Sequence, residues 1–243
     1  MKGTLYLIPG LLGDTPVGRV LPPHIGEVTG MIRYFIVEDT RTARRYLKRI
    51  HPSISFSDIV FFELDKHGDE SAMAHFIDPA GEGYDIGLLS EAGVPAVADP
   101  GSALVRIAHE RGIRVVPLAG PSSILLALMA SGMNGQNFAF NGYLPIHRKE
   151  RIQAIRELEQ RAGRENQTQI IIETPYRNQA LLDDLVNTCN PSTLVCVATD
   201  ITLGDEFIST RTAGKWKKDM PDIDKRPTVF LIWQIPARKK RPG

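Results

Sequence analysis

The chain has 243 residues, 42% hydrophobic and 23% charged, with a formal net charge of +1. These are the proportions of a folded globular protein and exclude a disordered one. Its longest apolar stretches, residues 124–130 and 229–235, fall well short of the roughly 20 residues that cross a bilayer, so neither a membrane span nor a membrane partner is expected. In chain order, short apolar runs at 4–8, 34–37, 59–63, 86–89 and 113–116 read as buried parallel strands. Helical patterns at 41–50, 70–76 and 102–111 lie between them, the last stopped by Gly112. Strands alternating with helices predict βαβ units and a mostly parallel sheet.

Proline and glycine at 117–121 then break the pattern. A second set follows: a helix at 123–131, a strand at 138–143, a charged helix at 148–162 and a strand at 169–172. A helix at 178–186 and strands at 194–198, 207–210 and 229–235 complete it. Each half is long enough for its own core. The expectation is two α/β domains, 1–117 and 122–243, with the active-site cleft between them at the carboxyl ends of the strands.

Several chemistries are missing from the sequence. It has no GxSxG elbow, no HExxH, no Walker lysine loop and no GxGxxG. The scattered histidines and the two cysteines, Cys189 and Cys196, predict neither a metal site nor a disulfide framework. At the N-terminus an apolar run is interrupted by Pro9 and Gly10, which reads as a strand entering a loop and not as a secretory leader. The expected location is the cytoplasm.

What the sequence offers is turn chemistry at strand ends. The first strand runs into Pro9 and Gly10, the fourth into Ser90, Glu91, Ala92, Gly93, Val94 and Pro95, and the fifth into Gly120, Pro121, Ser122 and Ser123. Small residues let main-chain groups approach a ligand, and prolines limit the entropy lost on binding. Each such loop could also be a plain turn. The second strand ends in Glu38 and Asp39, followed by Thr40 and Arg41; these carboxylates suit a general base, and equally a helix cap. Asp99, before Pro100 and Gly101, has the same two readings. Basic residues Arg41, Arg44, Arg45, Lys48 and Arg49, a second cluster from Arg148, and the tail Arg238, Lys239, Lys240 and Arg241 are either solvated faces or phosphate contacts.

Taken as an ordered set, Glu38 to Arg41, Ser90 to Pro95, Asp99 to Gly101 and Arg114 to Ser123 resemble the signature run of the tetrapyrrole methylase superfamily. Within it they are similar to the branch of ribosomal RNA small-subunit methyltransferase I. The likeness continues through Phe140 to Pro145, Glu173 to Arg177 and Pro227-Thr228. It implies an S-adenosylmethionine-dependent methyltransferase, usually a homodimer, acting on a ribose 2′-hydroxyl of small-subunit ribosomal RNA. Carried over by position, the cofactor contacts would be Pro9, Gly10, Ala92, Gly93, Val94, Pro95, Ser122, Ser123, Glu173, Thr174, Pro227 and Thr228. Asp39, Glu38 and Glu91 are the candidate catalytic residues, and Arg41 and Arg44 the candidate RNA contacts. The chain departs from the branch in its first loop, in Glu91 where relatives carry aspartate, and in Thr174 and Tyr176. The alternatives are a tetrapyrrole or other small-molecule acceptor, or a cofactor-binding protein without catalysis.

Overall fold

A computed structural model describes residues 1–64 and 73–236. The chain divides into two compact units, Met1–Ser122 and Ser123–Gly243, each described here by itself. In the first unit, strands β1 (Thr4–Ile8), β2 (Tyr34–Val37), β3 (Val60–Glu63), β4 (Ile86–Leu89) and β5 (Arg114–Pro117) form one sheet in the order β3-β2-β4-β1-β5. Every pairing in it is parallel. The two-residue repeat of a strand sorts its side chains by face. Ile8, Phe35, Val37 and Leu89 pack on one side with Ile25, Val28, Ala43 and Leu47. Leu5, Ile36, Ile86 and Leu88 pack on the other with Ile77, Leu104, Ile107 and Ala108. A parallel sheet covered on both faces explains why its strands read as continuous apolar runs.

The helices that cover the sheet are α1 (Val17–Val20), α2 (His24–Met31), α3 (Thr40–Ile50), α4 (Asp78–Gly81) and α5 (Ser102–Glu110). Gly112 takes φ +61° after α5. The Ile113 amide donates to the Ala108 carbonyl and the Gly112 amide to that of His109 (2.8 and 3.0 Å), closing a Schellman motif and launching β5. Three expectations change. The pattern at 70–76 yields a 3₁₀ turn at Ala74–Ile77, its earlier part lying outside the described residues. The short helices α1, α2 and α4 are too brief to leave a clear period in the sequence. Pro117 belongs to β5 instead of ending it, because an edge strand needs donors on one side only.

The second unit holds β6 (Phe138–Tyr143), β7 (Thr168–Ile172), β8 (Leu194–Thr199), β9 (Phe207–Thr212) and β10 (Thr228–Trp233), in the order β6-β7-β10-β8-β9. Here only β6 and β7 pair in parallel, and the other pairings are antiparallel. Helices α7 (Arg148–Glu165) and α8 (Asn178–Thr188) bring Ile155, Leu158, Leu181 and Leu185 onto Ile171, Val197 and Phe230. Helix α6 (Ser123–Ser131) packs on β8, β9 and β10, and α9 (Ala213–Trp216) buries Trp216 with its indole N–H donating to the Val195 carbonyl at 2.9 Å. A buried ion pair braces the described part of this unit. Asp184 accepts from Arg151 at 2.7 Å and from Arg148 at 2.9 Å, and the Asp184 side chain is 3% exposed. No described helix is long and apolar enough to cross a membrane.

Candidate active site

The loops that leave β1, β4 and β5 meet at the carboxyl end of the first sheet. The Gly10 amide donates to the Gly93 carbonyl at 2.7 Å. A Cβ on Gly10 would lie 2.6 Å from the Ser90 carbonyl oxygen, and one on Gly120 would overlap the Pro9 ring. Gly93, at φ +76°, lies against Leu12 and the Pro121 carbonyl. Gly10 meets the β4 loop main chain to main chain and Gly120 packs on the Pro9 ring, so a Cβ fits at neither, while Gly93 is kept as glycine by its positive φ. Pro9, Gly10, Gly93 and Pro95 are buried, Val94 is half-buried, and Ala92 is exposed at the rim. Ala96 and Ala98 both adopt positive φ, of 64° and 59°, conformations that non-glycine residues hold only when their surroundings impose them.

A pocket opens beside this junction, bordered by Val37, Glu38, Asp39, Thr42, Ala43, Tyr46, Leu89, Ser90 and Glu91. Tyr46 of α3 donates its phenol to the Pro9 carbonyl, and burial pushes that phenol up, so it remains a donor. Glu38, Asp39 and Glu91 line this pocket, and Asp99 lies near Glu38 and Glu91 without lining it. Asp99 is half-buried; its Oδ2 accepts from the Ser90 hydroxyl, and the Glu38 and Glu91 carboxylates are close enough to act on it. Burial first, then the charges of Glu38 and Glu91, push Asp99 up to about 6 against the opposing Ser90 bond.

Asp39, at the wall of the pocket, also starts a helix. It is exposed and caps α3, accepting from the Thr42 amide at 2.7 Å. That bond, with Arg45 and Arg41 nearby, holds its carboxyl below the usual range. Glu63 of β3 supports the same helix start by accepting from the Thr40 amide at 2.8 Å. Asp99 is the residue whose chemistry the sequence concealed. The reading of Asp99 as a cap is overturned, since Gly101 takes the cap position of α5 with no side-chain bond. The available signal was that residues 90–101 contain two carboxylates and no lysine or arginine.

The basic face of α3 is largely committed to the protein itself. The Arg44 guanidinium lies over the Phe56 and Phe61 rings, at 5.5 and 5.3 Å. Lys48 donates to the Ile54 carbonyl, and Arg49 reaches the Thr15 carbonyl and Asp14. Arg41 is exposed at the helix start, next to the pocket. The tail from Arg238 to Arg241 lies outside the described residues.

Ser122 is buried at the end of the first unit, and Ser123 opens α6 in the second. In the second unit, Glu173, Thr174, Pro227 and Thr228 share one edge of the sheet, because the end of β7 runs beside the start of β10. The Glu173 side chain is 1% exposed and accepts from Arg177 at 2.7 Å and from the Thr174 amide at 2.5 Å. Its Oε1, the Arg177 Nε and the Asn178 Oδ1 lack a protein partner. The Thr228 hydroxyl meets that of Thr199 at 3.0 Å. Among the described residues, no group of His, Cys, Asp and Glu is arranged to hold a metal ion.

Residues 28–216 match the family model for tetrapyrrole (corrin/porphyrin) methylases. The chain is 31% identical to a ribosomal RNA small subunit methyltransferase I of Escherichia coli O157:H7, over 95% of this chain and 78% of that protein. A protein of the same name from Vibrio cholerae is 31% identical over 94% of this chain and 76% of its own length. Among solved structures, that of the methyltransferase CobJ aligns over 99% of this chain and 97% of its own, with a TM-score of 0.62 and 19% identity, a likeness of fold.

Proposed function

The chain belongs to the tetrapyrrole methylase family and is a methyltransferase, and from that premise we propose that it methylates a ribose 2′-hydroxyl of small-subunit ribosomal RNA with S-adenosylmethionine as donor. The observation that supports this reading is the junction of Gly10 with Ser90 and Gly93, where two loops meet main chain to main chain at the rim of the site. Such a rim suits the donor: carbonyl oxygens favour a positive sulfonium, and close approach needs the absence of side chains. When bound, S-adenosylmethionine supplies a methyl group whose bond to sulfur breaks, its electron pair going to sulfur.

Pro9, Gly10 and Ala92 to Pro95 hold the donor in this reading, and Ser122, Ser123, Glu173, Thr174, Pro227 and Thr228 are further contacts to it. Glu38, Glu91 and Asp39 border the pocket that takes the acceptor. A hydroxyl is a poor nucleophile until its proton is removed, which is the task a carboxylate performs there. Arg41 and Arg44 contact RNA phosphates, positioning the chain without reading sequence. The protein works in the cytoplasm as a homodimer. The reading is tested by transfer of labelled methyl to small-subunit particles from cells lacking the protein. Incorporation into the RNA supports it, and label found only in a tetrapyrrole overturns it.

A further inference from the structure

Resting on the reading that the acceptor is an RNA, we infer that the segment of the second unit from Tyr143 to Arg156 is a docking surface for a single-stranded stretch of that RNA, with Arg148 as its fixed phosphate contact. The surface is built on Asp184. One cation balances a buried carboxylate, and Arg151 supplies it through Nε at 2.9 Å and Nη2 at 2.7 Å. Arg148 donates to the same carboxylate through Nε at 2.9 Å, yet its side chain is 71% exposed. A second arginine on one carboxylate leaves a net positive charge, and holding an exposed side chain still costs entropy. What the bond secures is position. It turns Nε inward and leaves both Nη groups without a protein partner among the described residues. Two free Nη groups form a fork that matches two phosphate oxygens.

The same buried pair fixes the chain beside it. Arg151 also donates through Nη1 to the Ile146 carbonyl at 2.8 Å, and Leu144 packs into the core. On this pinned stretch Tyr143 and Ile146 stay outside, 58% and 67% exposed. Along α7, helical spacing puts Arg148, Lys149, Ile152 and Arg156 within about 100° of arc. Pro145, Lys149, Ile152 and Arg156 border a broad hollow there, with Glu150 and Glu157 also on its rim. Lys149 and Arg156 are exposed and enter no ion pair among the described residues. A single RNA strand suits both halves of this surface, its phosphates meeting the cations and a base stacking on the Tyr143 ring. An acidic polypeptide brings charge without flat rings, and a lipid surface needs a wider basic face than one rimmed by two carboxylates.

The test follows binding of a fluorescent single-stranded RNA oligonucleotide to the full chain by anisotropy, over a range of salt. The variant carrying Arg148→Gln, Lys149→Gln and Arg156→Gln should bind on the order of tenfold more weakly. Its slope of log affinity against log salt should fall by about 2, from three contacts at about 0.7 each. The variant with Lys149→Gln and Arg156→Gln alone, which leaves the Asp184 network intact, should show the same change in smaller measure. Tyr143→Ala should weaken binding about fivefold or more with the slope unchanged, since stacking releases no counterions. Circular dichroism and donor calorimetry should match the wild type throughout, which separates a lost surface from a lost fold. A triple variant with wild-type affinity and slope overturns the proposal. So does a wild type that does not bind the RNA, or that binds polyglutamate or phosphatidylserine vesicles as tightly. RNA binding that responds to the variants as stated, in a protein that transfers labelled methyl only to a tetrapyrrole, keeps the surface and removes the acceptor reading.

Discussion

The phenolic hydroxyl of Tyr46, on α3, donates to the carbonyl oxygen of Pro9, at the end of β1. The bond ties the helix that carries the basic face to the loop that forms the rim of the site. Tyr46→Phe keeps the ring and removes the donor, leaving a carbonyl without its partner. A loss of about 1 kcal/mol in urea unfolding is expected. Calorimetry should show donor affinity weakened several-fold, because the Pro9–Gly10 turn loses its support.

Gly10→Ala places a methyl group 2.6 Å from the Ser90 carbonyl oxygen. The obstacle is backbone, which cannot swing aside as a flexible side chain does. The β1 and β4 loops must separate, at a cost of about 1–3 kcal/mol. Donor affinity is expected to fall by at least about tenfold. Circular dichroism distinguishes this local effect from loss of fold, since the strands themselves are untouched.

Asp39 and Asp99 should respond to pH in opposite directions. The Asp99 carboxyl titrates at about 6 in the folded chain against an ordinary 3.8. The folded state therefore holds this proton more tightly. Its stabilising contribution is complete below about pH 4 and is lost as pH rises through 6. Asp99→Asn mimics the protonated form, so its stability relative to wild type should improve by about 1 kcal/mol between acid and mildly basic pH, allowing for solvent screening at a half-exposed group. Asp39 is held low by the Thr42 amide, so its contribution is present above about pH 4 and disappears as pH falls through the lowered value. Asp39→Asn keeps a capping oxygen and should hold the melting temperature at neutral pH, whereas Asp39→Ala should lower it.

In the second unit, Asp184→Ala leaves Arg151 buried without its carboxylate. Removing one partner of a buried pair is costly, and a loss of about 3–5 kcal/mol is expected. Chemical unfolding monitored at Trp216, in the core of that unit, reads this directly.

The alternation of apolar runs and helical periods placed the strands of both sheets, because a parallel or central strand buried on two faces has few other ways to be written. The short helices α1, α2 and α4 left no such trace. Strand direction in the second sheet was equally hidden, since an apolar run such as that of β10 is the same in either orientation. At the site, Pro9, Gly10 and Gly93 were legible as turn formers, and the backbone of Ser90 against Gly10 shows what occupies the space a side chain would need. Asp99 was not legible. Its character comes from Ser90, Glu38 and Glu91, whose nearness depends on the paths of β2 and β4. The setting of Arg44 was not legible either, for its guanidinium lies on two phenylalanine rings brought in by β3 and the segment before it.

The most direct measurement is chemical. Small-subunit ribosomal RNA from cells lacking the protein is incubated with it and methyl-labelled S-adenosylmethionine, then digested to nucleosides and resolved by mass spectrometry. The account predicts label in a 2′-O-methylated nucleoside, and its loss with Gly10→Ala. Label on a base, or none in the RNA from a protein that binds the donor, would contradict it.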